Sequence, residues 1–130
     1  MSNQETLEEL EKALEELRQE NKTVPIIVEG DKDITALRKL GFTGEIIRYN
    51  QGLSLADFCD MIAEHYDHVI ILTDWDRRGG YLCHMIKSNI QSRVKCDLLF
   101  RAKIAKKATI KTVEGLPTWL ETLREKSNHT

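Results

Sequence analysis

The sequence has few cysteines, no long apolar run, no internal repeat and almost no net charge, and the first two shortages each remove a class of protein. Cysteine occurs three times, at Cys59, Cys83 and Cys96, an odd count with no Cys-x-x-Cys pair. Three reduced thiols of a cytoplasmic protein are therefore expected, rather than a disulfide framework or a zinc site. No apolar stretch approaches the roughly 20 residues that cross a bilayer, so no membrane association is expected. The acidic N-terminus lacks the basic-then-apolar order of a secretory leader. No low-complexity tract or linker interrupts the 130 residues, which suffice for one compact domain and are too few for two of ordinary size. The formal net charge of −2 by itself argues neither for nor against nucleic acid.

What is present is more informative. Hydrophobic residues make up 41% and charged residues 31% of the chain, the balance of a globular protein rather than a disordered one. The charges are segregated. Over residues 1–20 seven acids face only Lys12 and Arg18, whereas over residues 77–111 ten bases stand against the single acid Asp97. A near-neutral chain with this distribution can carry a basic face for phosphates.

Periodicity divides the chain into alternating elements. Leu7, Leu10, Leu14 and Leu17 form a narrow apolar stripe, which predicts an acidic amphipathic helix within residues 1–22, with Thr6 and Glu9 as its capping box. That helix is expected to pack on a single domain formed by residues 23–130. Ile26-Ile27-Val28 reads as a buried strand ending at Glu29-Gly30. Asp31 or Asp33 then caps a helix that Gly41 stops. A second strand is predicted over 45–49, a helix begins at Ser54, and Val69-Ile70-Ile71-Leu72 reads as a central strand. Gly79-Gly80 opens a further helix, with Leu82, Met85, Ile86 and Ile90 facing inward. Residues 94–100 read as a fourth strand. Pro117 suits the first turn of a last helix carrying Trp119, Leu120 and Leu123, and residues 127–130 read as a frayed tail. Alternating strands and helices predict an α/β fold: a mostly parallel sheet of about four strands with helices on both faces, plus the N-terminal helix.

Ligands of open α/β sheets sit beyond the carboxyl ends of the strands, and two predicted strands end there in acids. Glu29 ends the first; Asp74 and Asp76 end the third. Residues two apart on a strand share a face about 7 Å apart, so Asp74 and Asp76 are expected to point into one crevice with Trp75 turned away. Clustered carboxylates repel one another or recruit a cation, and an all-oxygen set suits Mg²⁺. Only His68 and Cys83 lie near these motifs, which disfavours zinc. Gly30 after Glu29, and Gly79 and Gly80 after Asp76, allow close approach of a phosphate to backbone N–H groups, with Arg77 and Arg78 adding charge.

A hydrophobic strand ending in Glu-Gly, followed by one ending in Asp-x-Asp-x-x-Gly, resembles the Toprim family. The matching residues are Ile26-Ile27-Val28-Glu29-Gly30 and, over 70–80, the strand end Thr73-Asp74-Trp75-Asp76 with Arg77-Arg78-Gly79-Gly80. The likeness runs from about Pro25 to Phe100. It is greatest to the small stand-alone, primase-like Toprim proteins of archaea and some bacteria. The 5S ribosomal RNA maturation nuclease is similar in its Val-Glu-Gly-x-x-Asp opening, here Val28 to Asp33. The resemblance implies a Toprim fold and Mg²⁺-dependent processing of nucleic acid, RNA or DNA, with Mn²⁺ as a substitute. Glu29 would be the general acid or base and a metal ligand, and Asp74 and Asp76 the remaining ligands. Phosphodiester cleavage and a non-catalytic nucleic-acid or protein-binding adaptor both stay open, as does a protein partner or a homodimer. No topoisomerase tyrosine domain and no primase zinc or helicase-binding domain accompanies the motif. A dehalogenase-type phosphatase would want its Asp-x-Asp early in a longer chain, and a receiver domain would want its acid pair on the first strand.

Overall fold

The computed structural model describes residues 2–128. Along the chain run α1 (Asn3–Asn21), β1 (Ile26–Val28), α2 (Asp31–Lys39), β2 (Ile46–Arg48) and α3 (Leu55–His65). They are followed by β3 (His68–Ile71), α4 (Arg77–Ile90), β4 (Lys95–Asp97), α5 (Leu99–Lys107) and α6 (Leu116–Asn128). The strands form one parallel sheet in the order β2-β1-β3-β4. Among the described residues no helix is long and apolar enough to cross a membrane.

Strand alternation sorts the core into two layers. Ile26, Val28, Ile70 and Leu72 face one side and are buried under α1, α2, α5 and α6. Ile27, Val69 and Ile71 face the other side and are buried under α3 and α4, against Phe58, Cys59, Ile62, Cys83, Ile86 and Ile90. Both faces of the central strands are covered, which is why their sequences are continuous apolar runs rather than alternating ones. On α4 it is Cys83, Ile86 and Ile90 that are buried, while Leu82 and Met85 lie at the margin.

Three expectations need correction. The cap of α1 lies one turn earlier than Thr6: Ser2 Oγ accepts the Glu5 N–H at 3.1 Å. The fourth strand stops at Asp97, because Asp97 Oδ1 accepts the Leu99 N–H at 2.9 Å and turns the chain into α5. Leu98-Leu99-Phe100 has the composition of a strand, but Phe100 and Ile104 are buried four residues apart on a helix. Finally, α6 continues to Asn128, with Ser127 buried and its Oγ donating to the Leu123 carbonyl at 2.9 Å. His129 and Thr130 lie outside the described residues.

Ion pairs join α1 to the C-terminal helices. Glu16 meets Lys103 at 3.4 Å, Glu9 meets Lys107 at 2.6 Å and Glu11 meets Arg124 at 2.6 Å. The acidic N-terminal helix therefore neutralises part of the basic run that was expected to form one face, and α5 turns some of its lysines toward α1 rather than outward. Exposed pairs of this kind contribute about 0–1 kcal/mol each, so they set orientation more than stability.

The end of α1 is fixed by Asn21. Its Nδ2 donates to the Val24 carbonyl at 3.1 Å and the Glu45 carbonyl at 2.9 Å, and its Oδ1 accepts the Gly44 N–H at 3.0 Å. A Cβ on Gly44 would lie 1.8 Å from the Asn21 carbonyl oxygen, so the two backbones meet too closely for a side chain. Asn21→Ala strands buried polar groups at the α1–β2 junction and should cost about 2–4 kcal/mol. Urea unfolding that shows a loss below about 0.5 kcal/mol would mean that water replaces the amide there.

Candidate functional site

In this strand order the chain leaves β1 through α2 toward one edge of the sheet and leaves β3 through α4 toward the other. The carboxyl ends of β1 and β3 thus flank the point where the winding reverses, where helices diverge and leave a crevice. Glu29 and Asp74 meet there. Glu29 Oε2 accepts the Asp74 N–H at 2.9 Å across the two strand ends, although the residues are 45 apart in sequence. Its Oε1 lies 3.4 Å from Arg78 Nη2. Both carboxylates are buried, at 7% and 8% exposure.

Further residues complete a cleft of about 250 Å³. Its lining includes Gly30, Asp33, Asn50, Arg78 and Glu114 along with Glu29 and Asp74. Larger grooves of about 360 and 420 Å³ lie between α1 and α5 and along β2, and neither is lined by Glu29 or Asp74. Asp33 was expected only as a helix cap. Its Oδ2 does accept the Gly30 N–H at 3.1 Å, but its carboxylate is buried beside the cleft. Burial raises the Asp33 pKa, opposed by hydrogen bonds from the backbone of Gly30 and Glu29 and assisted by the charge of Glu114. Asp31 instead pairs with Arg48 at 2.6 Å.

The segment between α5 and α6 straps the site from outside the sheet. Val113 N–H donates to Asp74 Oδ1 at 2.9 Å. Trp75 N–H donates to the Lys111 carbonyl at 3.0 Å, and Trp75 Nε1 donates to the Ile110 carbonyl at 2.6 Å. Trp75 is indeed turned away from the cleft, into the core under α1 and α6. Arg101 of α5 donates to the carbonyls of Thr73 at 3.0 Å and Asp74 at 2.6 Å, so this base of the basic run holds the chain in place.

Asp76 is placed differently from the expectation of strand alternation. Ladder pairing ends at Ile71, and Asp76 is the N-cap of α4, its Oδ1 accepting the Gly79 N–H at 2.7 Å. It does not line the cleft. The helix begins at Arg77, two residues before the glycines that were expected to open it. The N–H groups of Gly30, Gly79 and Gly80 are bonded within the chain, to Asp33, to Asp76 Oδ1 and to the Asp76 carbonyl. Gly79 has another purpose: a Cβ there would lie 2.0 Å from the Asp74 carbonyl oxygen, so its absence lets α4 start against the strand end. Arg77 and Arg78 lie exposed in the first turn of α4.

The donor chemistry fits a hard divalent cation. The acids around the cleft offer oxygen only, and the Asp74 carboxyl is pushed up to about 6. Burial is the main cause; the Val113 N–H opposes it, and the charges of Glu29, Asp33 and Asp76 add to it. A cation would relieve that strain. The geometry assembles less: among the described residues no three His, Cys, Asp or Glu side chains converge on one point. Glu29 and Asp74 are the adjoining pair, and Asp76 retains Oδ2, which makes no hydrogen bond among the described residues.

The chain is similar to known proteins in sequence and in fold. A family model described as the Toprim domain matches residues 24–107. A UPF0292 protein of Thermoplasma volcanium is 44% identical over 110 residues, covering 84% of this chain and 92% of the relative. A UPF0292 protein of Pyrococcus furiosus is 39% identical over 122 residues, covering 92% and 90%. One of Methanosarcina barkeri is 34% identical over 128 residues, covering 95% and 88%. A solved structure of an Aquifex aeolicus protein superposes with a TM-score of 0.70 at 30% identity, covering 80% of this chain and 94% of that one. Val113, Glu114 and the strap lie beyond the matched segment.

The raised Asp74 pKa has a definite sign in stability. Its folded value of about 6 exceeds the ordinary 3.8, so between those values the folded state binds a proton that the unfolded state does not. Stability from this group is therefore full below 3.8 and falls as pH rises toward about 6. Asp74→Asn keeps an acceptor for Val113 and removes the charge. In chelator it should be more stable than the parent by about 1–3 kcal/mol near neutral pH. The difference should vanish in acid, and thermal melts with the same difference at every pH would contradict the assignment.

Proposed function

Because this chain belongs to the Toprim family, whose members act in metal-dependent processing of nucleic acid, we propose that it cleaves phosphodiester bonds of RNA or DNA at the Glu29–Asp74 cleft. The observation that carries the reading is the bond from Asp74 N–H to Glu29, which holds the Glu29 carboxylate against the Asp74 backbone, so that two buried acids line one cleft at the topological switch point. Glu29 and Asp74 would hold the Mg²⁺, for which Mn²⁺ could substitute, and Asp76, whose Oδ1 caps α4, would join the set only through Oδ2. When bound, the ion supplies charge neutralisation at the phosphate oxygens. Glu29 moves the proton to or from the attacking or leaving oxygen. Arg78, beside Glu29 and 82% exposed in its side chain, reaches a non-bridging phosphate oxygen. Val113 N–H keeps Asp74 oriented while this happens. We also read α1 as an integral layer of one domain rather than a detachable arm, since Leu10, Leu14 and Leu17 are buried in the same core as the sheet.

One observation favours a second reading, a nucleic-acid or protein-binding adaptor without catalysis. Asp76 is engaged as a helix cap, so the three motif acids do not converge. The two readings separate on metal and on cleavage. Titration calorimetry with Mg²⁺ should give a binding heat for the parent protein and none for Asp74→Asn; equal heats would remove Asp74 from the ligand set.

Glu29→Gln conserves shape and the acceptor for the Asp74 N–H. It should cut Mg²⁺-dependent cleavage of labelled structured RNA or DNA by about 10²–10⁴-fold, the usual contribution of a positioned acid or base. The adaptor reading gives no cleavage by either protein. Undiminished cleavage by the variant would take Glu29 out of the chemistry.

A further inference from the structure

The exposed face of α4 carries a pattern that the cleft does not use. The sequence Arg77-Arg78-Gly79-Gly80-Tyr81-Leu82-Cys83-His84 continues through Lys87 and Ser88 to Ile90 without one acidic residue. Gly79, Cys83, Ile86 and Ile90 form its buried side. At 100° per residue, Arg77, Tyr81, His84 and Ser88 fall on the opposite side, in a line about 16 Å long, with Arg78 and Lys87 flanking it. All of these are exposed. Among the described residues Tyr81, at 66% exposure, is the most exposed of the large hydrophobic side chains, and no hydrogen bond or ring contact holds it. Neither Arg77 nor Lys87 makes an ion pair among the described residues, in contrast to Lys103 and Lys107 of α5, which pair with α1. The flank of the line that carries Arg78 borders the cleft, since Arg78 lines the cleft and lies 3.4 Å from Glu29.

A flat aromatic ring left in water costs free energy that a stacked partner would recover. Cations on both sides of it attract a polyanion. Duplexes bury their base faces, so an isolated ring between cations on a convex helix suits an unpaired base rather than a helical groove. We propose that the α4 face is a docking surface for single-stranded nucleic acid, with Tyr81 stacking on one base and Arg77, Arg78 and Lys87 meeting the flanking phosphates. The strand is thereby led into the Glu29–Asp74 cleft; this deepens the proposed function and rests on nucleic acid being its ligand. Tyr81 is then the residue that distinguishes unpaired from paired substrate.

The test measures binding by fluorescence anisotropy in chelator, where metal-dependent cleavage is silent. The probes are a labelled 12-nucleotide single strand, the same strand in a duplex, and the same strand with abasic sites. The parent protein is expected to prefer the single strand, and Tyr81→Ala to weaken that complex about tenfold while Tyr81→Phe keeps it. Duplex and abasic probes should bind weakly and respond to Tyr81→Ala by less than about twofold. Circular dichroism melts check that the exposed substitution leaves the fold intact. Equal affinity for single strand and duplex, an equal response of the abasic strand, or no binding of any probe would overturn the surface. Failure to cleave in Mg²⁺ would instead overturn the catalytic reading and leave this one standing, because no step of the binding assay depends on cleavage.

Discussion

A carboxylate that leaves a strand to accept the backbone N–H of a neighbouring strand's extension is the joint on which this fold turns. Glu29 does this for Asp74 at 2.9 Å. The bond extends the β1–β3 ladder beyond its last backbone pair, so the two strand ends cannot splay as their helices diverge. It also fixes where the chain is when it reaches Gly79, whose missing side chain lets α4 begin against the Asp74 carbonyl. Arg101 and the Val113 strap then close on the same residue from the other face of the sheet. Five elements thus meet at Asp74, and the arrangement places an ionisable group where burial disfavours its charge. A site built for stability alone would carry an amide there.

Much of this was legible in the sequence because it follows from period and strand-end chemistry. The runs Ile26-Ile27-Val28 and Val69-Ile70-Ile71-Leu72 read as strands covered on both sides; all seven residues are buried, and the third strand itself ends at Ile71. Acids at two strand ends pointed to the crevice, and Glu29 and Asp74 do lie in it. The misreadings are equally physical. Asp74 and Asp76 would share a face only on an extended chain, but the ladder ends at Ile71 and the following turn spends Asp76 on the first turn of α4. The start of α5 reads as strand because Leu98-Leu99-Phe100 is apolar, while the signal that ends β4 is a single hydrogen bond accepted by the Asp97 side chain from the Leu99 N–H. Asp33 had a local signal, its place in the Glu-Gly-x-x-Asp opening. Glu114 had none, since a strap 85 residues from Glu29 in sequence brings it to the cleft through packing alone.

The charge pattern shows the same division between what sequence carries and what folding decides. Ten bases over residues 77–111 suggested one basic surface. Folding sorts them: Arg101 is consumed as a structural donor, Lys103 and Lys107 answer the acidic α1, Arg93 pairs with Asp60, and the cations of α4 remain facing water. The net charge near zero thus conceals a neutralised layer, a basic helix and an acidic cleft.

That sorting has a consequence for how the cleft and the helix act together. The cleft gathers Glu29, Asp33, Asp74 and Glu114, and α4 presents cations at its rim. A phosphate drawn along α4 would meet the carboxylates at the end of its path. At about 4 Å and an effective dielectric near 20, each such encounter opposes it by about 4 kcal/mol. On the proposed reading a cation between them reverses the sign of that last step, so metal and nucleic acid should each raise the affinity for the other by the same factor, as linkage requires. On that reading the helix alone would hold a strand, and only the occupied cleft would admit its phosphate. Binding at the rim and chemistry at the strand ends would then be separable, because the cleft and α4 carry charges of opposite sign on adjoining elements.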